Sequence, residues 1–174
     1  MHVACVLIDH LPFKLEVRRD PGLRKRRAVI VQRHGSRRTV LDASPSASSV
    51  SPGMSLLEAL ARCKDAVPIE ADSARYEQEF STILLRLGSR SPVVESAGLG
   101  CAYVGLDGLL DTYGNEERLI ELLLQTVPSY LEPRMGVSEG KFPAYLAALS
   151  AGPGRAYKPT QSLAEYVAPW SIDV

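Results

Sequence analysis

The stretch "VACVLI", residues 3–8, is an uninterrupted run of apolar and small residues that stops at Asp9 and is followed by His10, Leu11 and Pro12. A run of that length, rich in Val and Ile and ended by a breaker, reads as a buried β-strand. A strand with no polar alternate has no face to offer to water, so the rest of the chain has to cover it. The carboxylate at its end then raises a chemical question, because one acid placed at the tip of a buried strand is either a ligand or a structural cap.

The following sequence supplies strands and helices in turn. "PFKLEVRR" forms one or two helical turns, "DPGLRKR" a turn, and "AVIV" (28–31) a second strand. Residues 39–41 are a short apolar triplet before a Ser/Pro/Gly/Ala stretch without apolar periodicity, which reads as loop. "SLLEALARC" is helical in spacing with Ser55 as its cap, and "AVPIEAD" is a strand and turn. "DSARYEQEFSTILLRLGS" places Tyr76, Phe80, Ile83, Leu84 and Leu87 on one helical face and ends at Gly88. "SPVVESAGLGCAYVGLDGL" gives two adjacent strands and a hairpin. "NEERLIELLLQTVPSYL" is a long helix capped by Asn115, "EPRMGVSEGK" a strand, and "FPAYLAALSAG" a helix ended by Gly152. "GPGRAYKP" reads as a flexible basic connector and "SLAEYVAPW" as a last short helix. Alternation of this kind predicts an α+β layer fold, a mixed β-sheet covered by helices. The segment 20–72 is smaller, more basic and looser, and reads as an inserted subdomain.

Charge sharpens that division. The formal net charge is zero, but residues 1–40 carry ten Lys and Arg against three acids, a net +7, and the remainder carries ten against seventeen, a net −7. Arg24, Lys25, Arg26, Arg27, Arg33, Arg37 and Arg38 surround the strand at 28–31. Such a field suits the phosphates of a nucleic acid or an acidic partner surface, and equally a solvated, solubilising loop. No apolar stretch approaches the roughly 18 residues of a membrane span, and the N-terminus lacks a leader pattern, so no membrane and a cytoplasmic setting are expected. Cys5, Cys63 and Cys101 are odd in number and lie in apolar surroundings without CxxC spacing, and His2, His10 and His34 lack zinc-site spacing. The cysteines therefore read as reduced core residues.

Several of these segments together resemble the Y-family (UmuC/DinB-like) translesion DNA polymerases, and within them the degenerate ImuB-like branch. "DHLPFKLEV" is similar to the signature D-x-D-x-F-F/Y-A-x-V-E, with Asp9 on its first acid and Phe13 on its first aromatic. "SVSPGMSLLEALARC" resembles G-V-x-x-G-M-x-x-x-x-A-x-x-x-C through Val50, Gly53, Met54, Ala59 and Cys63. The helix from Asp72 resembles D-x-x-x-Y-x-x-x-S-x-x-I/V, and "VESAGLGCAYVG" stands where the family has V-E-x-x-S-I-D-E-A-Y-L-D. "MGVSEGKFPAYLAA" lies on S-I-G-I-A-x-N-K-x-x-A-K-x-A-S, matched at Gly136, Val137, Lys141 and Ala144. The resemblance implies a polymerase-type palm with a small inserted fingers subdomain: palm strand and helix over 1–19, fingers over 20–72, and the rest of the palm over 73–174, ending before a thumb.

It also subtracts. Polymerases of this kind hold two divalent ions about 4 Å apart with carboxylates. Here Leu11 stands at the second acid of the first motif, and Gly100 and Cys101 stand at the acid pair of the second. The family's sugar-screening aromatic falls on Lys14, and its triphosphate-contacting Tyr and Arg fall on Ala43 and Ser46, which leaves Lys141 for phosphate or nucleotide. Asp9 is then a residue that caps a turn or pairs with an arginine such as Arg33. No cofactor is expected, Mg²⁺ only if Asp9 retains weak metal binding. Asp107 lies beyond the second strand of the hairpin and reads as a turn or a lead into the next helix. The resemblance implies a catalytically inactive homologue that organises translesion synthesis. It would contact DNA through Arg24, Lys25, Arg26, Arg27, Arg33, Arg37 and Arg38, with an error-prone polymerase, a RecA-like accessory protein and the sliding clamp as partners. The alternatives are an active polymerase fragment with displaced ligands and a purely protein-binding α+β module.

Overall fold

The apolar run becomes β1 (His2–Leu7), the middle strand of a five-stranded sheet in a computed structural model that describes residues 1–160 and 162–169. The chain continues through α1 (Leu11–Arg19), a 3-10 turn (Pro21–Lys25), β2 (Ala28–His34), β3 (Arg37–Ala43), α2 (Leu56–Arg62), β4 (Val67–Glu70) and α3 (Ser73–Gly88). After these come β5 (Val94–Ser96), β6 (Cys101–Gly105), α4 (Leu110–Tyr113), α5 (Glu116–Thr126), a second 3-10 turn (Ser129–Leu131), β7 (Arg134–Glu139), α6 (Lys141–Ser150), β8 (Ala156–Tyr157) and α7 (Leu163–Val167). They divide into two units, Met1–Asp9 with Phe80–Val174, and His10–Glu79. Among the described residues no helix is long and apolar enough to cross a membrane.

The first unit is built on the sheet ordered β5-β6-β1-β7-β8, antiparallel except for the β7–β8 pair. Every residue from Val3 to Ile8 is buried, and Cys5, Val3 and Leu7 form with Ala144 and Ala148 a cluster under α6. Helix and strand approach closely because β7 carries Gly136: a Cβ there would fall 2.1 Å from both the Ala144 carbonyl oxygen and the Ala148 amide nitrogen. Small residues on α6 complete the fit, with Ala144, Ala147 and Ala148 fully buried. At the start of β1, His2 touches Glu116 and Glu139, Lys158 also pairs with Glu116, and Asp107 accepts a hydrogen bond from the His2 amide at 3.0 Å. Asp107 is thus the turn residue expected of it, followed by the short helix α4.

The second unit has its own sheet, β3-β2-β4, with β2–β3 antiparallel and β2–β4 parallel. Its core is Val29, Val31, Val40, Ala43, Ala47, Val50, Ala59, Cys63 and Ala66, joined by Met54, Leu56 and Leu60. The segment expected to be loose is therefore packed. The Ser/Pro/Gly/Ala stretch is irregular as expected, yet it sends Ala47 and Val50 into the core and exchanges bonds with Val40, whose amide donates to the Met54 carbonyl at 2.8 Å and whose carbonyl accepts from Gly53 at 2.8 Å. Gly53 takes a φ of +89° to make that return.

The second unit runs over His10–Glu79, wider than the segment 20–72, and a buried acid joins its two ends. Glu16 on α1 is 4% exposed; it pairs with Arg75 and accepts a 2.6 Å bond from the Tyr76 hydroxyl, which ties α1 and the start of α3 into the second unit. A buried carboxylate needs such partners, since leaving it unpaired costs several kcal/mol. Burial, and then the bond to Glu16, pushes the Tyr76 phenol up.

Other differences are local. β3 runs well beyond the triplet 39–41 because β2 offers a partner along Arg37–Ala43. α5 stops at Thr126, since Pro128 cannot continue the helical bonding, and residues 129–131 make a separate 3-10 turn. The connector expected to be flexible contains β8, two residues parallel to β7. The caps at Ser55 and Asn115 form as expected, accepting from the Glu58 amide at 3.1 Å and the Arg118 amide at 2.8 Å.

Two outcomes follow from this packing. Gly136→Ala places a methyl group against backbone that cannot rotate away, so it costs about 3 kcal/mol or more, at or above the usual range for overpacking, read as a fall in the thermal unfolding midpoint. Burial by itself would raise the Glu116 carboxyl, but Lys158 and His2 outweigh it and hold the group below the usual carboxylate range. A lowered folded value stabilises above the unfolded value and loses that contribution as pH falls through the folded one. The acid limb of a midpoint-against-pH curve is accordingly shallower in Glu116→Gln than in the wild type.

Candidate active-site strand and basic hairpin

In the first unit the candidate site lies at the far end of β1. The Ile8 amide donates to the Gly100 carbonyl at 2.7 Å, and β6 begins at the next residue with Leu7 opposite Cys101. Gly100 holds a φ of +86°, a left-handed turn that suits glycine. The register thus brings positions 100 and 101 beside the end of the strand that carries Asp9, as the two motifs of the resemblance require. What it brings there is a glycine and a thiol. Leu11, in the second unit, is 1% exposed in the first turn of α1 and offers no polar atom.

Asp9 itself is bound by an arginine that sequence reading does not find. The Arg134 Nε lies 2.9 Å from the Asp9 Oδ2, so the partner is Arg134 and not the expected Arg33. The cause is register: β7 runs antiparallel to β1 with Leu7 opposite Arg134, and a long side chain from that position reaches past the strand end. A second guanidinium nitrogen donates to the Leu149 carbonyl at 3.4 Å. Both members are about 30% exposed, which makes this a partly solvated pair of modest stabilising value. The signal was present in the family pattern, whose opening serine falls on Arg134, but nothing local in the sequence couples positions 9 and 134.

Lys141 does not join Asp9. It is the first residue of α6, its Nζ donates to the Glu95 Oε2 at 2.5 Å, and it stands 5.7 Å over the Tyr103 ring. Tyr103 opposes Cys5, four residues before Asp9 on the strand, a separation of about 13 Å. The second lysine of the same family pattern falls on Tyr145, and it is this phenol that feels Asp9; burial first, then the sulfur atoms of Cys101 and Cys5 and the Asp9 carboxylate push it up. Tyr103 is pushed up to about 12, mainly by burial.

The register also brings two cysteines together that lie far apart in sequence. Cys5 and Cys101 are diagonal neighbours across β1 and β6, with sulfur atoms 3.9 Å apart. Among the described residues no group of three or more His, Cys, Asp or Glu side chains is arranged to hold a metal ion. Hard divalent cations ask for several oxygen ligands, and one carboxylate already paired with a guanidinium does not fit two of them.

In the second unit the basic residues gather on the 3-10 turn and the β2–β3 hairpin. Arg33 stands opposite Arg38 and His34 opposite Arg37, either side of the turn at Gly35. The opposed guanidinium groups of Arg33 and Arg38 are like charges and repel, and an anion laid across them relieves it. Two of the expected cations are already engaged: Arg27 pairs with Asp65 at 3.0 Å and Arg38 pairs with Glu70. Arg24, Lys25, Arg26, Arg33 and Arg37 are exposed and have no ion pair among the described residues.

The start of α1 holds a further residue that sequence reading misses. Asp42, at the end of β3 and 6% exposed, accepts from the Phe13 amide at 3.0 Å and from the His10 Nδ1 at 2.8 Å. His10 is in the left-handed region with φ 53° and gives the helix no side-chain cap of its own, so the carboxylate serves as one. A helix start is a ready anion site, and here an internal carboxylate occupies it. Ala43 and Ser46, the positions of the family's triphosphate contacts, offer a methyl group and a hydroxyl 3.0 Å from that of Ser44.

Comparison with known proteins finds relatives of this fold. The chain is 27% identical over 156 residues to DNA polymerase IV of Dehalococcoides mccartyi, covering 86% of this chain and 40% of that protein. Among solved structures it is similar to DinB from Sulfolobus solfataricus, with a TM-score of 0.79 at 23% identity over 91% of this chain and 48% of that one. It is similar also to an insertion ternary complex of Dbh DNA polymerase, with a TM-score of 0.83 at 22% identity over 99% and 53%. The chain therefore spans about half the length of these relatives, and the fold it shares with them is the polymerase palm with mixed sheets and helices. Residues 6–148 match the impB/mucB/samB family. By that match, which covers most of the chain, the chain belongs to the impB/mucB/samB family of UmuC/DinB-like Y-family DNA polymerases.

Proposed function

We propose that this domain is an ImuB-like member of its family that does not transfer nucleotides and serves translesion synthesis by holding DNA and partner proteins. The observation that carries the reading is the Asp9–Arg134 pair. A guanidinium supplies there the positive charge that a metal ion would bring, and the neighbouring positions 100 and 101 hold no carboxylate. Two-ion phosphoryl transfer needs ligands that bridge both ions and tolerate their mutual repulsion. Asp42 at the start of α1 supports the same conclusion, because it places a negative charge where a triphosphate would need donors.

DNA contact rests on the opposed cations of the β2–β3 hairpin and on the exposed turn residues Arg24, Lys25 and Arg26. Phosphate contacts of this kind are sequence-independent and weaken with salt. By family, the partners are an error-prone polymerase, a RecA-like accessory protein and the sliding clamp, and the setting is the cytoplasm. The Dehalococcoides relative, named as a DNA polymerase, supports a second reading, template-directed synthesis by this chain with displaced ligands.

Three measurements separate these. Primer extension with Mg²⁺ or Mn²⁺ yields no incorporation; incorporation that Asp9→Ala abolishes would establish the second reading instead. Millimolar Mg²⁺ leaves the unfolding midpoint unchanged, whereas a site filled at a hundred times its Kd would add about 2.7 kcal/mol. Primer-template DNA binds at low salt, and charge reversal at Arg24, Arg26, Arg33 and Arg37 weakens binding while lowering the log K against log salt slope by about one for each phosphate no longer neutralised. Absence of low-salt binding, or binding indifferent to those reversals, removes the DNA-contact reading.

A further inference from the structure

The thiols of Cys5 and Cys101 stand in a relation that the proposed DNA contact does not use. Both lie on the face of the sheet that α6 covers, in the cluster of Val3, Leu7, Ala144 and Ala148, with Tyr103 and Tyr145 beside them. Cys5 is fully buried, while Cys101 at the start of β6 is partly exposed. Their sulfur atoms are 3.9 Å apart, close to van der Waals contact. A disulfide needs about 2.05 Å between the sulfurs. Diagonal cross-strand neighbours lie just beyond the span of an unstrained bridge, so closing the 3.9 Å gap between the two sulfurs takes a side-chain rotation together with a shift of β6.

We propose that Cys5 and Cys101 form a reversible disulfide when the protein meets a peroxide, making the seam between β1 and β6 a redox modification site. The Cys101 sulfur attacks one oxygen of hydrogen peroxide, the O–O bond breaks, and a sulfenic acid and one water result. The Cys5 sulfur then attacks the Cys101 sulfur; the S–S bond forms, the S–O bond breaks, and the thiol proton of Cys5 leaves with the hydroxide as a second water. Overall two thiols are oxidised by two electrons and one peroxide is reduced to two waters. The order of roles follows from the surroundings: Cys101 is the more accessible sulfur, and the hydrogen bond from Cys5 holds its thiol below the usual range while Cys5 is pushed up. The thiolate is the attacking form, and a partly exposed, low-lying thiol next to a resolving one is the arrangement that stops oxidation at the disulfide. Cys63 provides a control within the same chain, since it is buried in the second unit and its thiol contacts the carboxylate of Asp65 at 3.6 Å.

The test is peroxide treatment of the full chain, alkylation of the remaining thiols, and non-reducing peptide mapping. Two of the three alkylatable thiols disappear, a peptide linking Cys5 to Cys101 appears with the mass of two hydrogens missing, and dithiothreitol restores both thiols. Cys63→Ser leaves the link unchanged, and in Cys5→Ala the sulfenic acid on Cys101 becomes trappable by dimedone. The inference is overturned if both thiols stay alkylatable, if Cys101 proceeds to sulfinic acid in the wild type without a link to Cys5, or if the only bridges are between chains. The wild-type map decides the matter even where a variant folds poorly.

Discussion

Everything in the first unit hangs on one strand that cannot face water. β1 is hydrogen-bonded on both edges, to β6 and β7, and all its residues from Val3 onward are buried. A strand in that position fixes the register of its neighbours, because a slip by one residue would turn every apolar side chain over. The fit of α6 against β7 depends in turn on the single missing Cβ of Gly136 and on the alanines that face it. The chemistry at the strand end is a consequence of the same register. It delivers Arg134 to Asp9, Cys101 to Cys5 and the Gly100 turn to Ile8.

The charged groups that bear on the candidate site are answered from within. Asp9 has Arg134, Lys141 has Glu95, and buried Glu16 has Arg75 and Tyr76. In a polymerase palm a strand-end carboxylate answers metal ions. Here protein cations take that place, and the acids that would complete a cage are a leucine, a glycine and a cysteine. The hairpin differs: Arg33, Arg37 and Arg38 carry more positive charge than Glu70 offsets. A field that the fold leaves unbalanced is where an external anion gains most. Function on this reading has moved from the strand end to the surface.

Much of the fold was legible because it rests on local signals. The unbroken run of β1, the helical face of α3, and the caps at Ser55 and Asn115 each depend on residues within a few positions of one another. The family's motif positions were legible for the same reason, and so were the replacements at Leu11, Gly100 and Cys101. What could not be read were features decided by pairing. β3 is extended by its partner strand, β8 exists because β7 offers an edge, and Glu16 of α1 finds Arg75 and Tyr76 far along the chain.

The candidate site shows the same division at the level of single atoms. By itself the sequence determined that the strand ends in one acid, that its expected carboxylate companions are missing, and that the basic residues cluster in the first forty positions. These are matters of residue identity and near-neighbour spacing, which chain folding cannot alter. Only the tertiary structure decided that Asp9 is held by Arg134, that Lys141 is spent on Glu95, that Asp42 caps α1, and that Cys5 meets Cys101. Each of those pairings joins positions far apart in sequence, and the strand register that brings them within reach is fixed by burial of the whole sheet rather than by any residue of the pair.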